Sequence, residues 1–180
     1  MLQVIIPENE LFDPTTNTFF SVKEQKLNLE HSLVSISKWE SKWKKPFISK
    51  DPKTYEESVD YIRCMTINQN VDPMVYYNIP NNVYDQIQEY IDDPMTATWI
   101  KSDPNRPPSR QIITSELIYY WMVSYNIPME CQKWHLNRLL MLIQVCDEKN
   151  KPQKKMTRTE TFSRNKALNA ARRAKMHSKG

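Results

Sequence analysis

The hydrophobic positions of this 180-residue chain change their period along its length. They begin as short extended runs. Leu2 to Ile6, Thr18 to Val22 and Lys26 to Glu30 are separated by Pro7 and by the turn signal Asp13-Pro14-Thr15-Thr16-Asn17, which predicts a small N-terminal hairpin or meander. From Ser32 the spacing becomes three or four. Leu33, Ile36, Trp39 or Glu40, and Trp43 make one helical stripe that Pro46 ends. The next helix has a marked start, because Thr54 and Glu57 form a capping box ahead of Tyr55, Val59, Ile62 and Met65 or Thr66.

Asp72-Pro73 sets a cap before a proline suited to the first helical position, predicting a short helix over Met74 to Ile79 that Pro80 closes. Asn81 or Asn82 is expected to cap a further helix through Tyr90, with Val83, Ile87 and Tyr90 or Ile91 on one face and Asp92-Asp93-Pro94 as its stop. Thr96 to Ile100 and Gln111 to Ile113 are short β-prone runs around the polar, three-proline segment Lys101 to Arg110, so a second short hairpin is expected there. Two strongly apolar helices follow, Ser115 to Tyr125 and Met129 to Asp147, joined by the Asn126-Ile127-Pro128 break. Leu117, Tyr120, Trp121 and Ser124 are the expected buried stripe of the first; Cys131, Trp134 or His135, Leu139, Leu142 or Ile143, and Cys146 are that of the second. The fold class is therefore mainly α (α+β), a helical bundle body with two small β-hairpins. No repeat of solenoid length is present.

Charge separates body from tail. Residues 1 to 147 carry 14 Lys+Arg against 19 Asp+Glu, net −5, whereas residues 148 to 180 carry 11 against 2, net +9. The division is a body over 1–147 and a basic tail over 148–180, extended or helical on binding, with Thr161 to Lys175 able to form a basic helix. Lys154, Lys155, Arg158, Arg164, Lys166, Arg172, Arg173 and Lys175 are the residues expected to bind a partner, either phosphates or an acidic protein surface. A solvated tail is the alternative.

Glycine narrows the chemistry. The chain has one, Gly180, and twelve prolines, so phosphate loops, dinucleotide fingerprints and GxSxG elbows are excluded in their standard form, and left-handed turns fall to Asn or Asp. Cys64, Cys131 and Cys146 are an odd count without a CxxC pair and read as free thiols. Cys131 and Cys146 are expected in one helix, about 20 Å apart. His135 has only His31 and His177 for company, which argues for a buried structural histidine rather than a base or metal ligand. The pairs Glu56-Glu57 and Asp92-Asp93 are explained by helix-dipole compensation and by capping. Trp39, Trp43, Tyr119, Tyr120, Trp121 and Trp134 fit core packing better than a base-stacking platform. Neither a secretory signal nor an apolar run of membrane-spanning length is visible, so a soluble protein of the cytosol is expected.

Leu29-Glu-His-Ser-Leu-Val-Ser-Ile-Ser-Lys-Trp-Glu-Ser-Lys-Trp43 and Ile127-Pro-Met-Glu-Cys-Gln-Lys-Trp-His-Leu-Asn-Arg-Leu-Leu-Met-Leu-Ile143 resemble small proteins of tailed bacteriophages. These are similar to tail assembly chaperones or minor tail proteins, and the likeness spans nearly the whole chain, including the ending Arg164 to Gly180. The resemblance implies a non-enzymatic factor, without cofactor or metal, that holds helical segments of the tape-measure protein while tail-tube subunits assemble. Such a factor needs apolar grooves for amphipathic helices and several copies along a long client. Nine methionines suit re-packing around varied clients. The rival expectations are a structural protein of the virion's tail or neck and a nucleic-acid-binding protein acting through the basic tail.

Overall fold

A computed structural model describes residues 1–13, 17–100, 111–151 and 157–176. The protein is mainly helical, with two short antiparallel strand pairs near the N-terminus. By its internal contacts the chain divides into Met1–Asp147 and Glu148–Gly180.

In the first unit, β1 (Leu2–Ile6) pairs with β4 (Gln25–Leu29), Leu2 opposite Leu29, and β2 (Asn9–Asp13) pairs with β3 (Thr18–Val22). The strand β2 was not expected, since Asn9-Glu10-Leu11-Phe12-Asp13 lacks β-branched residues. Alternation places Val4, Ile6, Leu27 and Leu29 inward. The free edge of β4 is closed by the chain after the second helix, where Glu30 donates to the Met65 carbonyl and Ile67 to that of Asn28, both at 2.9 Å. That contact protects an edge that would otherwise offer unpaired backbone groups.

Helix α1 (Leu33–Trp43) begins at Ser32, whose hydroxyl accepts from Ser35 N, and buries Leu33, Ile36 and Trp39. Helix α2 (Tyr55–Met65) starts on the Thr54/Glu57 capping box; Val59, Ile62 and Met65 are buried, whereas Tyr55 is exposed. The two helices are joined by the indoles: Trp39 Nε1 donates to the Glu57 carbonyl at 2.8 Å and Trp43 Nε1 to Asp60 Oδ2 at 2.9 Å. Polar atoms of large aromatics thus find partners where the rings pack.

The expected short helix forms as a 3₁₀ helix over Pro73–Asn78, with Asp72 accepting from Met74 N at 2.9 Å. Helix α3 (Asn81–Asp92) buries Val83, Ile87 and Tyr90, but Asn81 and Asn82 lie inside it and Pro80 occupies the cap position without a side-chain bond. The second strand pair is β2–β3, not the expected one: residues 96–100 and 111–113 contain no strand, and Lys101 to Arg110 lies outside the described residues.

Helix α4 (Ser115–Ser124) ends on Asn126, which takes the left-handed conformation (φ 53) while Ile127 N reaches back to the Met122 carbonyl at 2.8 Å. This is the six-to-one closure usually given to glycine. Among the described residues Asn17 and Asn70 also take positive φ, but so do Lys44 and Met95, against the expectation of Asn or Asp throughout. The expected helix over Met129 to Asp147 is broken: Met129–Lys133 is a 3₁₀ turn and α5 spans Leu136–Asn150. Residue 135 is bridged to Ser32, and Leu136 N donates to the His31 carbonyl at 2.8 Å, so tertiary pairing wins over local periodicity. Cys131 and Cys146 therefore lie in different elements, and all three cysteines are free thiols. Burial raises the Cys64 thiol to about 11, which keeps it protonated and unreactive at neutral pH.

The second unit contains helix α6 (Arg158–Met176), every residue of which is exposed. Its start is a capping box: Glu160 N donates to Thr157 Oγ1 at 3.2 Å and Thr157 N to Glu160 Oε2 at 2.8 Å. No described helix is long and apolar enough to cross a membrane.

Candidate functional site

Helix α4 has one charged residue, Glu116, in the sequence Ser-Glu-Leu-Ile-Tyr-Tyr-Trp-Met-Val-Ser. A helix apolar all round is normally buried all round. Here Ser115, Ile118 and Met122 enter the core against α1, while Tyr120 is 65% and Val123 66% exposed. Tyr120 and Val123 are three apart and share one outer face. The expected buried stripe of Leu117, Tyr120, Trp121 and Ser124 is thus rotated: Leu117 and Trp121 are half-buried, and Tyr120 and Ser124 are exposed. Because nearly every position is apolar, spacing alone did not define which face turns inward.

The segment after α4 is tied back to it. Tyr119 donates its hydroxyl to Gln132 Oε1 at 2.9 Å, tying the 3₁₀ turn to α4. Met129 and Trp134 at the ends of that turn are exposed. Trp134 was expected in the core; instead it stands at the surface, with the Arg138 guanidinium 4.3 Å from its ring centroid. Of the other aromatics, Trp39 is buried in the core, Trp43 and Tyr119 half-buried.

The start of α4 is fixed from α1. Thr114 makes no side-chain cap bond, and the Glu40 carboxylate takes its place, accepting from Ser115 N at 2.8 Å and from Phe47 N at 2.7 Å. A carboxylate at a helix N-terminus also meets the positive end of the helix dipole. Glu40 was read as a stripe residue, and no short-range signal marks it as a cap for a helix 75 residues away.

His135 is buried, as a structural histidine, and donates through Nε2 to the Tyr90 carbonyl at 2.9 Å. Its ring lies 5.0 Å from that of His31, whose Nδ1 is 2.5 Å from the Tyr61 hydroxyl. Burial, with the neighbouring His135, lowers His31 to about 3, so its imidazole is neutral at physiological pH. Burial likewise raises the Tyr61 phenol far above its ordinary value. The neutral His31 ring and the un-ionised Tyr61 phenol are held without an activating partner. Among the described residues no three His, Cys, Asp or Glu side chains are grouped to hold a metal ion.

A cleft of ≈ 260 Å³ is lined by Phe47, Lys53, Tyr61, Tyr84, Ile87 and Asp92, among others. It falls below the roughly 300–1,000 Å³ of small-molecule sites. Its one cation is already engaged: Lys53 Nζ donates to the Phe47 carbonyl at 3.0 Å and lies 4.2 Å from the Phe47 ring centroid, and burial lowers its pKa.

Arg158, Arg164, Lys166, Arg172, Arg173 and Lys175 are brought onto one helix, α6; Lys154 and Lys155 lie outside the described residues. No protein-family model matches the chain, and no curated protein or solved structure matches it.

Proposed function

We propose that the protein is an assembly factor for phage tails that binds helical segments of the tape-measure protein through the outer face of α4. The observation that carries this reading is that Tyr120 and Val123 stand exposed on the outer face of α4, between Glu116 and Ser124, while Ile118 and Met122 fill the core on the other. Exposed, contiguous apolar surface marks a protein-binding site more often than ordinary surface does. Its geometry suits helix on helix: Tyr120 and Val123 form a ridge at a spacing of three, which an amphipathic client can receive between its own rows. Trp134, exposed in the segment that follows α4, is a rigid aromatic of the kind that anchors interfaces. The choice of client comes from the resemblance of Leu29 to Trp43 and Ile127 to Ile143 to phage tail chaperones.

Copurification from infected cells tests the proposal. The tape-measure protein should accompany this chain before tails are complete, and finished virions should lack it. Stoichiometric retention in purified virions would favour a structural tail or neck protein instead.

A further inference from the structure

We infer that α6 is a second, separate binding element, one that seats in the major groove of duplex DNA. Its six cations are not spread at random around the helix. At about 100° per residue, Ser163, Ala167, Ala170, Ala171 and Ala174 share one face of the helix spanning roughly 100°, which Glu160 joins only in the first turn. Lys166 and Arg173 lie about 90–110° to one side of its centre, and Arg164 and Lys175 about 70–90° to the other. The small face is thus flanked on both sides by positive charge.

Four further features select the occupant. The major groove is about 12 Å wide and admits one α-helix, with phosphates along both of its walls. Small side chains let the backbone approach the groove floor while the two cationic flanks reach the two walls. A lipid surface would need the large apolar side chains opposite the charge, yet Phe162, Leu168 and Met176 fall among the cations rather than on the small face. An acidic protein surface would need cations on a single side. Finally, no residue of α6 is buried within its own unit, and residues 148 to 180 carry net +9, the complement of a polyanion. The capping box at Thr157 and Glu160 gives the helix a fixed start without any partner, and Glu160, the one acidic residue of α6, is engaged in it.

The full-length protein is titrated with a fluorescent 20-base-pair DNA duplex, an RNA duplex of equal length and poly-glutamate, over a range of salt. Two variants remove equal charge: Lys166→Gln with Lys175→Gln from the flanks, and Arg158→Gln with Arg172→Gln from the opposite side. The groove assignment expects DNA to bind more tightly than RNA or poly-glutamate. Two lost phosphate contacts lower the slope of log K against log salt by about 1.8 for the flank pair, and the other pair leaves it nearly unchanged. Ala171→Leu, which keeps helix propensity but fills the small face, should weaken DNA binding at every salt concentration. Equal slopes for the two pairs, no effect of Ala171→Leu, or tighter binding of RNA or poly-glutamate would each overturn the assignment.

Discussion

The imidazoles of His31 and His135 meet edge to face inside the body, 5.0 Å between ring centroids and 62° between planes. Hydrogen bonds hold both rings in place. The Tyr61 hydroxyl lies 2.5 Å from His31 Nδ1 and 3.3 Å from Ser35 Oγ, which itself donates to the Ser32 carbonyl at 2.7 Å. His135 gives its proton to the Tyr90 carbonyl, and its Nδ1 is buried with no partner among the described residues. A second proton on His31 would be buried without a counter-charge. The groups around the pair are neutral ones: Ser35 from α1, Tyr61 from α2, Tyr90 from α3 and Phe47 from the loop.

Stability should therefore fall in mild acid. The folded-state pKa of His31 is about 3, below the ordinary 6.5, so the unfolded chain binds the proton first. The stabilisation is complete above about pH 6.5 and is lost as pH falls from there toward 3. His31 alone predicts a loss of about 2 kcal/mol between pH 7.5 and pH 5. Urea midpoints at both pH values check this, and His31→Asn, which can still accept from Tyr61, should flatten the difference. An unchanged profile in that variant would remove His31 as the cause.

Glu40 is predicted to hold α4 in place. Glu40→Ala leaves the Ser115 and Phe47 amides without their acceptor, at about 1–3 kcal/mol for each buried donor, so a loss of at least about 2 kcal/mol is expected by chemical denaturation. Glu40→Gln keeps an acceptor oxygen and should cost less. If Glu40→Ala proves neutral, α4 is started by its own sequence and the long-range cap is incidental.

Trp134 and Leu139 should part company on truncation. Leu139 is fully buried, and Leu139→Ala should cost about 2–5 kcal/mol. Trp134 keeps 36% of its surface exposed, so Trp134→Ala should cost less than Leu139→Ala. Thermal unfolding of both variants decides whether the tryptophan belongs to the core or to an interface.

Where chemistry is local, the chain could be read directly. The capping box at Thr54 and Glu57 and the stripe Leu33, Ile36, Trp39 gave α1 and α2 nearly to the residue. Reading failed where distant parts decide. Nothing between Met129 and Asp147 except Trp134-His135 interrupts the helix, and the interruption exists because residue 135 pairs with Ser32. The inward face of α4 was undetermined for the opposite reason, an excess of apolar residues. The same excess leaves Tyr120 and Val123 exposed on the outer face. The basic residues were legible from charge alone; their arrangement on either side of an alanine face needed the helix register.

The most direct test is capture of helical tape-measure fragments by the full-length protein at low and high salt, alongside Tyr120→Glu with Val123→Glu. Both substitutions are on exposed positions, so the variant should fold with a stability within about 1 kcal/mol of the natural protein's. Apolar association resists salt, whereas contacts between the basic tail and a polyanion lose orders of magnitude over the same range. The account predicts that the natural protein captures a fragment equally well at both salt concentrations and that the folded variant captures none. Absence of capture, or capture abolished by salt and untouched by the variant, would contradict it.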